Sequence, residues 1–252
     1  MTAIDLNVDI AEGFGAWRIA DDDALLTVVS SANIACGFHA GDPGTMRRAC
    51  ATAVEHGVTI GAHVGYRDLA GFGRRYLDMV PAELVDDVLY QLGALSGIAA
   101  VAGGRVRYVK PHGALYNTIG HDEKQAAAVV EAVRLFDPTL AVLGMPGSRW
   151  LALAADAGLS TVPEAFADRA YTAEGTLVSR REPGAVVSDP AAVAARAVRF
   201  AVEGTVEAID GTVLNVAARS VCVHSDTPGS LELARAARAG LVGAGVRVES
   251  FL

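Results

Sequence analysis

The chain has 252 residues and a formal net charge of −8, and 52% of its residues are hydrophobic. It can bury a sizeable core, but it lacks the basic face needed to bind nucleic acid or an anionic membrane. Its three cysteines show no metal-type CxxC spacing, which is typical of reduced thiols. The first residues lack the basic start and apolar run of a signal peptide, and no uncharged apolar run approaches about 18 residues. We therefore predict a cytoplasmic protein with neither a nucleic-acid nor a membrane partner.

Short apolar runs alternate with amphipathic stretches along the whole chain. In chain order the predicted elements are strand Ile4–Ile10, helix Asp21–Ser30, strand Asn33–Phe38, helix Asp42–Gly57, strand Val58–Val64, helix Pro81–Gly103, strand Val106–Lys110, helices Ala114–Ile119 and Glu123–Leu135, strand Leu140–Met145, helix Arg149–Ala157, strand Ser160–Phe166, helix Pro190–Ile209, strand Ser220–His224, helix Pro228–Ala244 and strand Val246–Phe251. Two segments break the alternation: a glycine-rich loop from Gly65 to Met79 and an extended excursion from Asp168 to Ser188.

This regular alternation of strands and helices predicts βαβ units around a parallel sheet. Seven or eight mostly parallel strands within this length favour a closed or nearly closed (β/α) barrel over an open sheet. No linker or low-complexity break divides the chain, so we expect one domain over residues 1–252.

Rare polar residues follow the predicted strands. In a (β/α) barrel the carboxyl ends of the strands meet at one rim, which carries the active site. The residues placed at this rim are Asp5, Asn7, Asp9, Glu12, His39, His63, Lys110, His112, Glu164, Asp168, His224 and Asp226. Burying such groups unpaired costs about 1–3 kcal/mol each, so their convergence indicates a functional site. His56 and His121 fall elsewhere and are interpreted as surface or helix-end residues.

Several loop residues suit an anion. Arg74 and Arg75 follow Gly71-Phe72-Gly73, a combination of flexible amides and guanidinium groups that fits phosphate or carboxylate. Gly13 precedes Phe14-Gly15 and permits close approach of a ligand to the backbone. Asp42 and Asp226 each stand just before a proline that starts a helix. Asp42 is interpreted as a helix cap, whereas capping and function both stay open for Asp226.

Two common catalytic designs are absent from the sequence. There is no GxxxxGK[ST], so any use of a nucleotide lies outside the P-loop design. There is no GxSxG, so Ser225 lacks the setting of a nucleophilic serine. Cys36 and Cys222 are interpreted as small apolar strand residues and not as catalytic thiols.

The segments DLNVDIAEGFG, ANIACGFHAGDPGTM, GAHVGYRDLAGFGRR, YVKPHGALYN, EAFADRAYTAEGTLVSR and VCVHSDTPG resemble the LamB/YcsF family in order and spacing. The resemblance runs from about residue 4 to residue 250. Val8 and Val64 depart from it, because family members usually carry Cys and Pro there. A cysteine nucleophile at position 8 is therefore not essential in this chain.

The resemblance implies a distorted (β/α) barrel similar to those of polysaccharide deacetylases and some glycoside hydrolases. It also implies the A subunit of a bacterial ATP-dependent 5-oxoprolinase, which opens the lactam 5-oxo-L-proline to L-glutamate together with 5-oxoprolinase subunits B and C. ATP is then a co-substrate and Mg²⁺ its expected companion, and another divalent metal is an open alternative. Association with further copies of the chain stays open as well.

For that reaction we assign hypothetical roles to the rim residues. The expected catalytic residues are Asp9, Glu12, His39, His63, Lys110 and His112. The expected substrate- or anion-binding residues are Asn7, Gly13, Arg74, Arg75, His224 and Asp226. If the chain holds a metal, the expected ligands are Asp9, His63 and His112.

Two other functions fit the same residues. One is a metal-dependent deacetylase or amidohydrolase, since an Asp with two or three His residues suits Zn²⁺ or a similar cation. The other is a non-catalytic subunit that binds the substrate while its acids and histidines only shape the pocket. Metal content, the ATP requirement and the effect of rim mutations on turnover distinguish the ATP-dependent lactam hydrolase, the metal-dependent enzyme and the non-catalytic subunit.

Overall fold

The computed structural model describes residues 2–252. In that range the chain forms ten strands, which are β1 Ala3–Ile10, β2 Ser31–Ala35, β3 Thr59–His63, β4 Val106–Val109, β5 Ala141–Gly144, β6 Thr161–Phe166, β7 Thr205–Glu207, β8 Val213–Asn215, β9 Ser220–His224 and β10 Arg247–Val248. The helices of the same residues are α1 Asp22–Leu26, α2 Pro43–Glu55, α3 Pro81–Val101, α4 Gly113–Ile119, α5 Glu123–Phe136, α6 Arg149–Asp156, α7 Pro190–Val202 and α8 Ser230–Gly243.

Seven of the strands formed by residues 2–252 close into a parallel barrel. Their order is β1-β2-β3-β4-β5-β6-β9, and β9 pairs with both β6 and β1. At the closing seam Ser220 lies opposite Glu164 on one side and opposite Asp5 on the other. The predicted (β/α) barrel of seven or eight strands is therefore confirmed, with seven.

The side chains of β1 alternate between the barrel interior and the helical layer. The outward-facing Leu6, Val8 and Ile10 are completely buried in the main hydrophobic cluster. The inward-facing Asp5, Asn7 and Asp9 are also buried, but they make hydrogen bonds across the barrel. The period of two in the sequence thus places apolar groups outside and polar groups inside.

Polar groups from the other strands complete the interior. Asn33 donates to the Asn7 and Asp9 side chains at 2.7 Å each, and the Tyr108 hydroxyl donates to Asn33 Oδ1 at 2.6 Å. A Cβ atom at Gly61 would clash with the Tyr108 ring, so glycine is needed there. The interior thus combines a hydrogen-bonded network with a small apolar cluster of Tyr108, Ala141, Leu143 and Val162, where a (β/α) barrel usually has only layers of aliphatic side chains.

Helix starts follow the predicted capping rules. Asp42 accepts hydrogen bonds from the amides of Gly44 and Thr45 at 2.8 and 3.0 Å, and Pro43 occupies the first turn of α2. Asp226 does not cap α8, because Gly229 occupies the cap position without a side-chain hydrogen bond. Of the two interpretations of Asp226, the structure excludes capping.

Helix α3 is long and apolar enough to cross a membrane by length and composition alone. In the barrel it packs against α2 and α5. Its side chain Gln91 is buried and bonds both the amide and the carbonyl of Gly65. The apolar residues that the helix buries are Leu84, Val88, Leu92, Leu95 and Ala99. These contacts are those of a helix in the outer layer of a barrel.

The structure corrects several predicted boundaries. The helix predicted over Pro190–Ile209 ends at Val202, because Gly204 adopts a left-handed φ of 64° and the chain then forms the β7–β8 hairpin. The strand predicted over Val246–Phe251 shrinks to β10, which pairs with the start of β1 outside the barrel closure. Helix α1 is shorter than the predicted Asp21–Ser30, and β2 ends at Ala35, before the predicted Phe38.

The excursion over residues 168–188, called the strap below, lies beside the carboxyl rim. Two arginine side chains donate hydrogen bonds to backbone carbonyls in the strap and directly before it. Arg169 donates to Val178 O at 2.6 Å and Ala185 O at 3.2 Å, and Arg196 donates to Ala167 O at 2.9 Å and Arg169 O at 2.6 Å. The strap is therefore a fixed wall of the rim.

The buried carboxyl of Asp5 gives the fold a testable pH dependence. Burial raises its pKa from 3.8 to about 6, against the opposing hydrogen bonds from Ser220, Ser30 and Ser31. Because the folded pKa exceeds the unfolded value, protonated Asp5 stabilises the fold at low pH, and this contribution is lost as the pH rises through about 6. We expect Asp5→Asn to gain stability relative to the wild type between about pH 4 and pH 7, by on the order of 3 kcal/mol.

The measurement is the free energy of unfolding in urea at several pH values for both proteins. Asp86→Asn is the matched control, since Asp86 is exposed on α3. A difference between Asp5→Asn and wild type that stays constant across this pH range would contradict the expectation.

Candidate active site at the carboxyl rim

Four buried side chains meet where the first four barrel strands end. We call Glu12, His39, His63 and His112 the His/Glu cluster; their ligand atoms lie within 4.8 Å of one another. His63 ends β3, and the other three stand in the loops that follow β1, β2 and β4. The structure thus brings together these four residues as the sequence predicts.

The backbone conformation beside Glu12 is unusual. Ala11 has a φ of 59°, in the left-handed region that residues with a side chain rarely occupy. Its amide donates to Asp22 Oδ2 at 3.1 Å. This turn brings the Glu12 carboxylate back over the barrel, where Oε1 lies 3.2 Å from His39 Nε2 and 3.1 Å from His112 Nδ1.

Backbone carbonyls fix which ring nitrogens carry protons. His63 Nδ1 lies 2.8 Å from Lys110 O, and His112 Nε2 lies 2.8 Å from Phe72 O, so both nitrogens must donate. The remaining nitrogens, His63 Nε2 and His112 Nδ1, face each other at 3.0 Å and both approach Glu12 Oε1. If both rings are neutral, the lone pairs of His63 Nε2, His112 Nδ1 and Glu12 Oε1 point at one another. Only a proton or a metal cation between them can then stabilise this arrangement.

Of the three histidines in this cluster, His63 is the one whose pKa its surroundings raise. Burial favours its neutral form, but the Asp9 and Glu12 carboxylates outweigh burial and raise the pKa of His63. Burial lowers the pKa of His39 to about 3 and also lowers the pKa of His112. Burial opposes ionisation of Glu12 too, yet the neighbouring His112 and His39 rings hold its pKa well below its usual value.

The donor set also fits a divalent metal. Three imidazoles and one carboxylate are ligands that Zn²⁺ and similar cations accept. His39 Nδ1 is a buried ring nitrogen without a hydrogen-bond partner among residues 2–252. The cluster could therefore bind a metal ion. Its carboxylate is that of Glu12, whereas Asp9 belongs to a second group of possible ligands with Cys222 and His224. The ligand set Asp9, His63 and His112 stays a prediction.

A buried ammonium group lies below the cluster. Lys110 Nζ contacts Asp9 Oδ1 at 2.9 Å, Glu164 Oε2 at 3.2 Å and Cys222 Sγ at 3.1 Å, and Asn7 Oδ1 lies 3.3 Å away. Burial opposes its charge, but Asp9, Cys222 and Glu164 raise the pKa of Lys110 well above its usual value. Burial raises the pKa of Cys222 as well, so its thiol stays protonated.

A histidine–carboxylate pair lies at the ends of β9 and β6, beside Asp9 on the neighbouring β1. His224 Nδ1 lies 2.9 Å from Asp168 Oδ1, and the His224 amide donates to Asp168 Oδ2 at 3.1 Å. Thr227 also donates to this carboxylate. Asp168 therefore fixes the His224 ring with Nδ1–H as donor, which leaves Nε2 as its basic nitrogen.

A cavity of about 660 Å³ connects these groups to solvent. Asp9, His63, Lys110, His112 and His224 line one part of it. The strap and the loop after β3 line the other part, with residues that include Arg74, Leu177, Val178, Arg180 and Arg181. The site thus combines acid–base groups with a cationic wall.

The two arginines predicted to bind an anion, Arg74 and Arg75, lie in different surroundings. Arg74 Nη2 contacts Asp226 Oδ2 at 2.7 Å beside the cavity. Arg75 points elsewhere, pairs with Asp68 and is 65% exposed in its side chain. Gly13 also lies outside the cavity; it borders a smaller crevice of about 230 Å³ together with Trp17 and Arg48. Asn7 lies deeper, under the Lys110 ammonium.

Sequence reasoning missed Arg180, Arg169 and the engagement of Glu164 with Lys110. Glu164 stood at a predicted strand end, so its position carried a signal. Arg180 is half of an Arg-Arg pair in the strap, a dibasic sequence within an excursion of weak periodicity. That pattern could have marked a second anion-binding arginine.

Comparisons with known proteins show the family of the chain. A sequence model of the LamB/YcsF family matches residues 4–252. The chain is 61% identical to a protein of Kocuria rhizophila named as the A subunit of 5-oxoprolinase, and the match covers 100% of both chains. It is also similar to the crystal structure of the lactam utilization protein from Thermus thermophilus, with a TM-score of 0.94 and 45% identity over 99% of this chain and 100% of that one.

A more distant likeness concerns the fold alone. The family 4 carbohydrate esterase from Streptomyces lividans superposes with a TM-score of 0.51 at 12% identity, covering 100% of this chain and 93% of that chain. The barrel architecture is therefore shared with a carbohydrate esterase.

The packing of the cluster rests on a glycine. A Cβ atom at Gly73 would lie 2.6 Å from His39 Cβ and 2.8 Å from His112 Cδ2, and Gly73 has a φ of 62°. We expect Gly73→Ala to displace both rings and to destabilise the fold by more than the roughly 1–2 kcal/mol of a left-handed alanine. The measurement combines urea unfolding with the imidazole nitrogen chemical shifts of ring-labelled protein.

Gly245→Ala is the matched control, because Gly245 has a φ of 75° and open space around its Cα. Gly245→Ala should lose stability through backbone strain, whereas the chemical shifts of its histidine nitrogens should not change. Unchanged His39 and His112 signals in Gly73→Ala would contradict the expected contact.

Proposed function

The chain belongs to the LamB/YcsF family, and we propose that it is the A subunit of an ATP-dependent 5-oxoprolinase. The reaction opens the lactam ring of 5-oxo-L-proline to L-glutamate with hydrolysis of ATP. The observation that carries the proposal is the 660 Å³ cavity, which joins oriented acid–base groups to an arginine wall. Relatives named for this activity over nearly the full chain length support it.

The chemistry explains why ATP is required. An unstrained lactam carbonyl is a poor electrophile, and phosphorylation of its oxygen turns the amide into an activated imidate that water can attack. The site must then activate water, stabilise the charge that develops and protonate the departing nitrogen. Cleavage of the C–N bond leaves the carbonyl carbon as an acyl phosphate, and a second water hydrolyses it to the free carboxylate and inorganic phosphate. Mg²⁺, as the companion of the nucleotide, would neutralise phosphate charge.

The described residues can divide these tasks. His224, oriented by Asp168, offers a basic Nε2 that can take a proton from the attacking water. His63 Nε2 lies 3.4 Å from Asp9 Oδ2, and a protonated His63 would give its proton to the ring nitrogen when the C–N bond breaks. Lys110 stays charged and keeps the Asp9 carboxylate in place.

We further propose that the protein acts in the cytoplasm together with the subunits named B and C. Relatives designated as the A component of the enzyme support the existence of partners. The acid–base groups of the proposed reaction lie on this chain, and we propose that a partner subunit supplies the nucleotide at the solvent-facing side of the cavity.

The proposal is tested with the complex assembled from this chain and its partner subunits. We expect His112→Ala to lower kcat for 5-oxoproline at least about 100-fold, because it removes both the Phe72 and Glu12 contacts of the ring. His56→Ala, at an exposed helix end, is the control and should leave kcat unchanged. Wild-type turnover in an intact His112→Ala complex would contradict a catalytic role. Altered lactam binding with unchanged kcat would instead favour a non-catalytic binding subunit.

A second candidate function is a metal-dependent amidohydrolase, and the His/Glu cluster is the observation that favours it. Elemental analysis of purified protein, with and without Glu12→Gln, tests whether the cluster holds a metal. We expect turnover of 5-oxoproline to require ATP whatever the metal content. A stoichiometric metal combined with amide cleavage in the absence of ATP would establish the second candidate instead.

A further inference from the structure

Three loops converge on one carboxylate at the mouth of the cavity. Arg74 comes from the loop after β3, Arg180 from the strap after β6, and Asp226 from the loop after β9. Arg74 Nη2 lies 2.7 Å from Asp226 Oδ2, whereas the Arg180 guanidinium lies 3.4 Å from Oδ1 and 3.5 Å from Oδ2. We call these three residues the arginine clamp.

The clamp has more cationic than anionic groups. Its two guanidinium groups and one carboxylate leave a net charge of +1, although the whole chain carries −8. Arg169 stands behind it, bound to the carbonyls of Val178 and Ala185. Burial and the neighbouring Arg180 lower the pKa of Arg169 to about 10, which reports the proximity of like charges. An anion at the clamp would therefore be stabilised.

The contacts differ in strength within the clamp. The Arg74 contact is a normal charge-assisted hydrogen bond, whereas the Arg180 contacts are at the long limit. Arg180 also lines the cavity and is a quarter exposed, so its donors are available to a ligand. Leu177 and Val178 lie next to it on the same wall and suit a small apolar ring.

We propose that Arg180, backed by Arg74, binds the carboxylate of a small carboxylated lactam and selects it over uncharged lactams. The inference rests on the proposed function, since it names the part of 5-oxoproline that this wall recognises. A guanidinium group binds a carboxylate through two parallel hydrogen bonds. A monoanion matches the net charge of the clamp, whereas the Asp226 carboxylate repels a polyanion such as a nucleoside triphosphate.

The test uses the assembled complex and the variant Arg180→Ala. The readouts are KM for 5-oxoproline, KM for ATP and the inhibition constant of 2-pyrrolidinone, which has the same ring without the carboxylate. We expect KM for 5-oxoproline to rise about 10- to 100-fold, with the other two constants unchanged. Arg180→Lys keeps the charge but loses the two-pronged geometry and should fall between Arg180→Ala and wild type.

Arg134→Ala is the matched control, because this half-exposed arginine pairs with Glu131 on α5, outside the cavity. It should leave all three constants unchanged. An unchanged KM for 5-oxoproline in Arg180→Ala would overturn the proposal, and so would a rise in KM for ATP alone, which would assign the clamp to phosphate. Thermal unfolding of each variant confirms that it is folded.

Failure of the proposed function is recognised separately. If the wild-type complex does not hydrolyse 5-oxoproline, the proposed activity is wrong. The role of the arginine clamp is then tested by calorimetric titration of the same complexes with the two lactams. Tighter binding of 5-oxoproline than of 2-pyrrolidinone, lost in Arg180→Ala, supports it. Equal binding of both lactams by the wild type overturns it.

Discussion

The charge of Lys110 determines how the barrel interior is built. A buried ammonium group is strongly unfavourable unless it is paired and hydrogen-bonded. Asp9 and Glu164 supply the opposite charge, and Asn7 and Cys222 lie within contact distance of the remaining surface of the ammonium. Because these partners come from three different strands, the pairing fixes how the strand ends face one another. The His/Glu cluster then stands on this base through the contact between Asp9 and His63.

The cluster and the network below it are held by the backbone as much as by side chains. The carbonyls of Lys110 and Phe72 determine the tautomers of His63 and His112. Phe72, like Ala11, adopts a left-handed conformation, with a φ of 53°. Both strained residues lie beside the site. The conformation of Phe72 directs its carbonyl towards His112, and that of Ala11 directs the Glu12 carboxylate towards the histidines.

The sequence predicts the barrel and most of its polar rim, because both follow from periodicity and from the positions of strand ends. It does not predict which of two adjacent arginines faces the cavity, since that depends on the turn at Gly73. It places Glu12 at the rim beside the histidines, but it does not predict the left-handed φ of Ala11 that turns the Glu12 carboxylate towards them, because Ala11 offers no sequence signal for that conformation. The β7–β8 hairpin was missed because Thr205–Glu207 continues an amphipathic pattern after Gly204.

The arginine clamp also bears on how a product would leave. In a lactam the ring nitrogen is an uncharged amide, and it is attached to the same carbon as the carboxylate. Ring opening converts that nitrogen into an ammonium group on the carbon that bears the bound carboxylate. The new positive charge would then stand beside the guanidinium groups of Arg74 and Arg180, which repel it, while Asp226 is present to pair with both arginines again. The former carbonyl carbon becomes a second carboxylate, so glutamate has the same net charge as the lactam, and only the local repulsion of its ammonium group at the clamp would distinguish the product from its precursor.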